Sequence, residues 1–165
     1  MTNAIVSFFE GQNISNELLV FLISMIPIVE LRGAIPVGTY LGLSPWLLFF
    51  ISVLGNCIPV PFIILLARPI INFFLKTRAF RGLGSWLENK VRKNSDKVLR
   101  YEAFGLMLFV AIPLPGTGAW TGALIAALLD IRMKKSIPSI IAGVMIAGII
   151  MLFGSNIVKA IIGLF

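Results

Sequence analysis

The sequence predicts an all-α integral membrane protein built as an inverted repeat of two units. Each unit is a re-entrant helical hairpin followed by a transmembrane helix, and a cytoplasmic amphipathic helix connects them. The 165-residue chain has a mean hydropathy of +0.99 and 58% hydrophobic residues, which is too apolar for a soluble domain of this length. Proline and glycine interrupt its apolar stretches, and its basic residues form two clusters. We expect one membrane domain over residues 1–165.

The residue types that the chain lacks limit its chemistry. It contains no histidine and a single cysteine, Cys57, so it lacks the commonest metal ligand and cannot form an intrachain disulfide. It has neither the Gly-x-Ser-x-Gly turn of many hydrolases nor the lysine-containing phosphate loop of nucleotide-binding proteins. We therefore expect no enzyme activity, no cofactor and no bound metal.

The net charge of +7 indicates topology rather than a nucleic-acid surface. Of the 14 Lys and Arg residues, eight lie between residues 76 and 100, and three more lie between residues 132 and 135. Short loops that are rich in Lys and Arg stay on the cytoplasmic side of a membrane. We therefore place the connection 76–102 in the cytoplasm and the N-terminus outside.

Two segments are expected at the membrane surfaces. Residues 1–17 carry two glutamates and no basic residue, which favours an interfacial segment on the outer surface. Within 76–102, apolar residues recur near helical spacing among Lys and Arg residues, which predicts an amphipathic helix attracted to anionic lipids. A solvated loop helix is the alternative for this connection.

The first repeat covers residues 18–75. Its first apolar stretch, 18–29, has twelve residues and is too short for a hydrocarbon core that needs about 20. We place a re-entrant tip at 27–36, between two prolines, and end the returning arm at the Gly-Leu-Ser-Pro sequence of 42–45. The following residues, 46–67, are long enough to form the transmembrane helix.

The second repeat covers residues 103–165. It begins with 27 charge-free residues, 103–129, that have basic residues close to both ends. Because both ends then favour the cytoplasm, this segment must re-enter. We place its tip at 113–118, where prolines and glycines cannot continue a helix, and its outward span at 137–158.

The two repeats align when Gly33 is placed over Gly118, a spacing of 85 residues. The first unit starts outside and the second starts in the cytoplasm, so the two would be related by inversion across the membrane. Inverted repeats whose broken helices meet near the midplane are common in secondary transporters. We therefore expect the two tips to face each other.

The first tip carries two charges in a chain otherwise suited to lipid. Glu30 and Arg32 each cost about 2.5–3.5 kcal/mol at the centre of an inserted helix, so a functional role is expected. Residues two apart on a regular helix point to different sides, whereas a non-helical tip can direct both to one cavity. We interpret the pair as contacting a substrate or coupling ion, with Glu30 as the proton-coupling candidate. The alternative is a structural pair that satisfies carbonyl groups, or one another, at a helix break.

Two motifs resemble a known family. Residues 30–36 read Glu-Leu-Arg-Gly-Ala-Ile-Pro, and residues 113–122 read Pro-Leu-Pro-Gly-Thr-Gly-Ala-Trp-Thr-Gly. Together they resemble the bacterial small multi-drug export proteins, which are distantly similar to the DedA superfamily that includes the VTT-domain scramblases. The resemblance covers residues 18–153. It implies a bacterial cytoplasmic membrane, re-entrant hairpins and, for several DedA members, movement of a lipid phosphate such as undecaprenyl phosphate.

The leading hypothesis is a small transporter that moves an anionic amphiphile, with Arg32 binding its phosphate. In the second hypothesis Glu30 binds a cationic drug or metabolite and Trp120 provides an aromatic surface. A membrane structural subunit that transports nothing is the third.

The expected partners are membrane lipids and a lipid phosphate or small amphiphile but no nucleic acid, and homodimerisation is left open. The candidate substrate-binding residues are Arg32, Glu30, Gly33, Pro36, Pro113, Pro115, Gly116, Thr117, Gly118 and Trp120.

Overall fold

The computed structural model describes residues 15–76, 82, 97–114 and 116–162, and every regular element in these ranges is an α-helix. The predictions for residues 1–14 and for most of the connection 76–102 concern residues outside this part of the chain. The helices are α1 (Asn16–Met25), α2 (Glu30–Tyr40), α3 (Pro45–Cys57), α4 (Pro59–Lys76), α5 (Lys97–Ala111), α6 (Ala119–Leu128) and α7 (Met133–Ile162).

Two helical segments are long and apolar enough to cross a membrane. The first is Pro45–Ile70, which contains α3 and the first part of α4. The second is Met133–Val158, within α7. Each has 26 residues and a mean hydropathy of 2.3. A hydrocarbon core needs about 20 such residues. The segments 46–67 and 137–158 expected from the sequence lie inside these helices. A single turn residue, Ile58, separates α3 from α4.

The remaining described helices form two pairs of shorter helices, each with a break between its members. Helices α1 and α2 are separated by residues 26–29, and α5 and α6 by residues 112–118. The φ angles of Ile28 (73°), in the first break, and of Glu30 (50°), the first residue of α2, are positive. Such angles cost about 1–2 kcal/mol per non-glycine residue, so tertiary contacts must hold them.

The prediction of a non-helical tip over 27–36 is wrong after residue 29. Helix α2 begins at Glu30 and passes through Pro36, which lies in its interior. Proline removes one helical hydrogen bond, but α2 packs against α1, α3 and α7, and tertiary packing outweighs local preference. Glu30 and Arg32 therefore lie in the first turn of a helix.

The two long segments run antiparallel. Gly148, in the middle of α7, lies against Phe49, which is near the start of α3. At the opposite end, Arg68 of α4 donates a hydrogen bond to the carbonyl of Ile131, just before α7 begins. These two contacts occur in opposite order along the two segments, as expected for an antiparallel pair.

Each long segment packs closely on the last turn of a short helix through a glycine. A Cβ atom on Gly55 would lie 2.7 Å from the carbonyl oxygen of Phe21 and would overlap Ser24. A Cβ atom on Gly143 would lie 2.6 Å from the carbonyl oxygen of Met107 and 2.7 Å from Cβ of Val110. Each glycine is ten residues from the start of its apolar segment, so α1 and α5 both end beside the middle of a long helix.

The second short helix of each pair packs across the molecule. Helix α2 contacts α7, and α6 contacts α4. Alanines and branched aliphatic side chains of these four helices make up much of the buried core. The core also contains buried polar residues, which are Ser24, Glu30, Thr39, Ser52, Asn56 and Ser136.

Candidate functional site

Arg32 joins the first turn of α2 to the second break. Its Nη1 donates to the carbonyl of Leu114, and its Nη2 donates to the carbonyl of Ile112 (3.2 Å) and to Oγ1 of Thr117 (2.9 Å). These groups follow the C-terminus of α5, where the peptide dipoles present partial negative charge. The guanidinium therefore supplies donors that the broken helix no longer provides.

Glu30 caps the other side of the same break. Its side chain is 5% exposed, and Oε1 accepts a hydrogen bond of 3.1 Å from the backbone N–H of Trp120. The backbone N–H of Ala119 is also directed to this carboxylate. Both N–H groups belong to the first turn of α6, where a negative charge is favourable. Gly118 occupies the N-cap position of α6 without a side chain, so Glu30 supplies the missing cap.

Gly118 lets the carboxylate approach the helix terminus. A Cβ atom at this position would lie 2.6 Å from Cδ of Glu30 and would overlap one carboxylate oxygen. The φ angle of Gly118 is 170°, an extended conformation open to any residue. The glycine is therefore required for space and not for its backbone conformation.

The two charged side chains thus bind opposite ends of the second break. Among the described residues, neither has the other as a hydrogen-bond or ion-pair partner. The structural role considered from the sequence is visible here, because both charges satisfy backbone groups of a distant segment. Direct binding of a substrate by these residues stays a prediction.

The second break is compact where it is described. Oγ1 of Thr117 lies 2.6 Å from the carbonyl oxygen of Ile112 and 2.9 Å from that of Leu114, and its single hydrogen can serve one of them at a time. Gly116 has a φ angle of 84°, which favours glycine. Pro113 is half-buried, and Pro115 lies outside the described residues.

The other candidate residues have different positions. The N–H of Gly33 bonds to the carbonyl of Val29 (3.0 Å), so its described contacts stay within the first hairpin. Pro36 is exposed on α2 and has no described contact with the second break. Trp120 contributes its backbone N–H to the site, while its buried indole Nε1 has no partner among the described residues. The structure therefore brings together Glu30, Arg32, Thr117, Gly118 and Trp120.

Several partners were missed in the sequence. The carbonyls of Ile112 and Leu114 and the N–H of Ala119 are backbone groups, which leave no residue-type signature. Arg68 was not predicted to have a partner, yet its Nε lies 3.6 Å from Oδ1 of Asp130. The available signal was that Arg68 and Asp130 each end a charge-free stretch.

The described residues contain no group of three or more His, Cys, Asp or Glu side chains that could hold a metal ion. The fold and the site define a class: a small helical membrane protein in which a buried carboxylate and a guanidinium join two pairs of short helices. The model of the small multi-drug export protein family matches residues 30–150, which contain Glu30, Arg32 and the whole second break, and the chain belongs to this family. No curated protein and no solved structure matches the chain.

Proposed function

We propose that the protein is a transporter of the bacterial cytoplasmic membrane that moves an anionic amphiphile past the two helix breaks, with a lipid phosphate such as undecaprenyl phosphate as the substrate. The family name describes a membrane exporter and not an enzyme, which supports transport as the class of activity. The choice of a lipid phosphate follows from the DedA resemblance and from the chemistry of Arg32.

The observation that carries this proposal is the unused capacity of Arg32. A guanidinium has five N–H donors, and three of them have described acceptors. The other two have no acceptor among the described residues, and the side chain is only half-buried. Arg32 can therefore bind a phosphate oxygen while it keeps its contacts with the second break.

The position of Glu30 argues against a cationic substrate. Its carboxylate is buried and already accepts hydrogen bonds from the first turn of α6. A cation would have to enter this buried position, and any N–H group of α6 that it displaced would lack a partner, at a cost of about 1–3 kcal/mol per group. Coupling to protons would require that protonation of Glu30 weakens its hydrogen bonds to α6, and so weakens the link between the two hairpins.

We further propose that both hairpins are re-entrant and that the two repeats are inverted. Helix α1 has 10 residues, so it is about 15 Å long, half the thickness of a hydrocarbon core of about 30 Å. Two findings support inversion: the long segments are antiparallel, and equivalent glycine contacts place the end of each first arm beside the middle of a long segment. The breaks would then meet near the midplane, where transporters bind substrate.

The proposal is tested with purified protein in proteoliposomes and a fluorescently labelled short-chain polyprenyl phosphate. We expect Arg32→Gln to slow translocation at least about tenfold, because a charge-assisted hydrogen bond contributes about 1.5–3 kcal/mol. Arg32→Lys keeps a donor to the second break and serves as the folding-preserving variant, with an intermediate rate. Arg132→Gln removes an exposed charge outside the breaks and is the matched control, with an unchanged rate.

Gel filtration and circular dichroism must show that each variant is folded. A folded Arg32→Gln protein that translocates at the wild-type rate would remove Arg32 from the site. Wild-type protein that moves no more lipid than protein-free vesicles would contradict a lipid phosphate substrate. Proton-linked uptake of a cationic dye by the same vesicles would then favour the drug exporter, and no transport of either would favour a structural subunit.

A further inference from the structure

Two buried polar side chains near the first break have oxygen atoms without partners. Ser52 and Asn56 are 0% and 1% exposed, and Oγ of Ser52 and Oδ1 of Asn56 have no hydrogen-bond partner among the described residues. Buried polar atoms almost always have a partner, and exceptions point to an ordered water or an ion. In a membrane interior, bulk water is not available to these groups.

The two side chains lie on one face of α3. Residues four apart on a helix have Cβ atoms about 5–6 Å apart. Leu48, four residues earlier, belongs to the same face and packs against Gly38 of α2. Leu48, Ser52 and Asn56 therefore form one stripe along α3, and its first member packs on α2.

The register places Asn56 level with the first break. Starting from the contact between Gly38 and Leu48, eight residues back along α2 lead to Glu30, and eight residues forward along α3 lead to Asn56. Because α2 and α3 are antiparallel neighbours joined by a short turn, both residues lie about 12 Å from that contact on the same side. The packing of Gly55 against Ser24, at the end of α1, gives the same level independently.

More oxygen atoms are present at this level. Pro59 has no N–H to donate to the carbonyl of Gly55, four residues earlier in the kinked segment. Oγ of Ser24, which lies against Gly55, donates to the carbonyl of Phe21 (2.6 Å) and keeps its lone pairs. The set consists of neutral oxygens: amide, hydroxyl and carbonyl.

This chemistry selects the charge of the ligand. The atoms without partners are oxygens: Oδ1 of Asn56 can only accept, and Oγ of Ser52 can accept while its hydrogen turns toward another oxygen. Oxygens that accept in this way suit a cation rather than an anion. Ca²⁺ and Mg²⁺ are usually bound with carboxylates, and the nearest buried carboxylate, that of Glu30, is directed to α6. In transporters with broken helices, Na⁺ is coordinated by freed backbone carbonyls together with side-chain oxygens. We propose that Ser52 and Asn56 form part of a binding site for a monovalent cation, Na⁺, beside the first helix break.

The test measures the melting temperature of the purified protein in detergent while NaCl replaces choline chloride at constant ionic strength. We expect a saturable rise of at least about 3 °C in Na⁺, because a ligand that binds only the folded state stabilises it. Ser52→Ala and Asn56→Leu should abolish this rise. In choline chloride both variants should melt no lower than the wild type, since they remove buried polar atoms without partners.

The chain offers matched controls. Ser139 and Asn156 donate to the carbonyls of Lys135 (2.8 Å) and Leu152 (2.9 Å) on their own helix, so Ser139→Ala and Asn156→Leu should keep the Na⁺-dependent rise. An equal rise in KCl would support a monovalent-cation site without selectivity. A wild-type melting temperature that is identical in Na⁺ and choline, or a full rise in Asn56→Leu, would overturn the proposal. Because the readout is stability, this result is independent of whether a lipid phosphate is transported.

Discussion

At the scale of single residues, the site depends on charges that serve helices to which they do not belong. Glu30 accepts from the N-terminus of α6, and Arg32 donates to carbonyls that follow α5. Each charge faces a helix end of opposite partial charge, and this attraction offsets part of the free-energy cost of removing the charge from water. The cost of placing two charges in an apolar protein is thus offset by backbone groups that would otherwise lack partners.

Replacement of Glu30 tests its role as a cap. Glu30→Gln keeps an acceptor for the N–H of Trp120 but loses the charge, whereas Glu30→Ala leaves N–H groups of α6 without a partner. We expect Ala to cost about 1–3 kcal/mol per unpartnered group and Gln to cost less, measured as the melting temperature in detergent. Glu17→Ala, a change at the surface end of α1, should have a smaller effect than either. Equal stability of Glu30→Ala and the wild type would contradict the cap.

Gly118 is expected to tolerate no side chain. Gly118→Ala would push a methyl group into the carboxylate of Glu30, and such overpacking costs about 1–3 kcal/mol. Gly105→Ala is the control, since nothing lies within 4 Å of a Cβ atom there and alanine favours a helix. A lower melting temperature for Gly118→Ala alone is the expected result. The reverse order would show that the break adjusts freely around Glu30.

At the scale of helices, two glycines on the long segments determine how closely the short helices approach. Gly55 packs on α1 and Gly143 packs on α5, each against a backbone carbonyl and the residue three positions later. Backbone contacts of this kind are typical of helix pairs in membranes, where small residues replace the hydrophobic driving force available in water. Because the contact recurs, both short helices end at the same position relative to the long segment on which they pack.

Substitution of these glycines tests whether the two contacts are equivalent. We expect Gly55→Ala and Gly143→Ala to lower the melting temperature by similar amounts, because in each case a backbone carbonyl within 2.7 Å cannot rotate away. Gly154→Ala, on the same helix as Gly143 but with open space around it, should be neutral or stabilising. A loss confined to one of the two contact positions would contradict equivalent packing of the repeats.

At the scale of the whole molecule, the proposed inversion fixes which loops share a side of the membrane. We expect single cysteines introduced by Ser15→Cys and Ser44→Cys, in a Cys57→Ser background, to react with an impermeant maleimide from outside. Lys135→Cys should react only after the cytoplasmic side is opened. All three positions are exposed, so access depends on sidedness alone. Labelling of Ser15→Cys and Ser44→Cys from opposite sides would mean that α1 and α2 together cross the membrane.

The sequence alone determined the class of this protein. Three features carried this prediction: the composition, the proline and glycine positions, and the two motifs. They predicted a helical membrane protein with two long apolar segments, and both segments are present. They also predicted the family, which the family match confirms. These features are local: an apolar run of sufficient length, or a residue that cannot continue a helix, acts within a few positions of the chain. The DedA relationship stays a prediction.

Only the tertiary structure decided what the charges do. The sequence placed Glu30 and Arg32 in a non-helical tip, but α2 starts at Glu30 because contacts with α1, α3 and α7 hold the strained turn before it. Their partners lie 80 to 90 positions further along the chain and are mainly backbone groups. Apolar packing is non-directional and carries no record of such pairings in residue type, so the pairing follows from how the two hairpins meet.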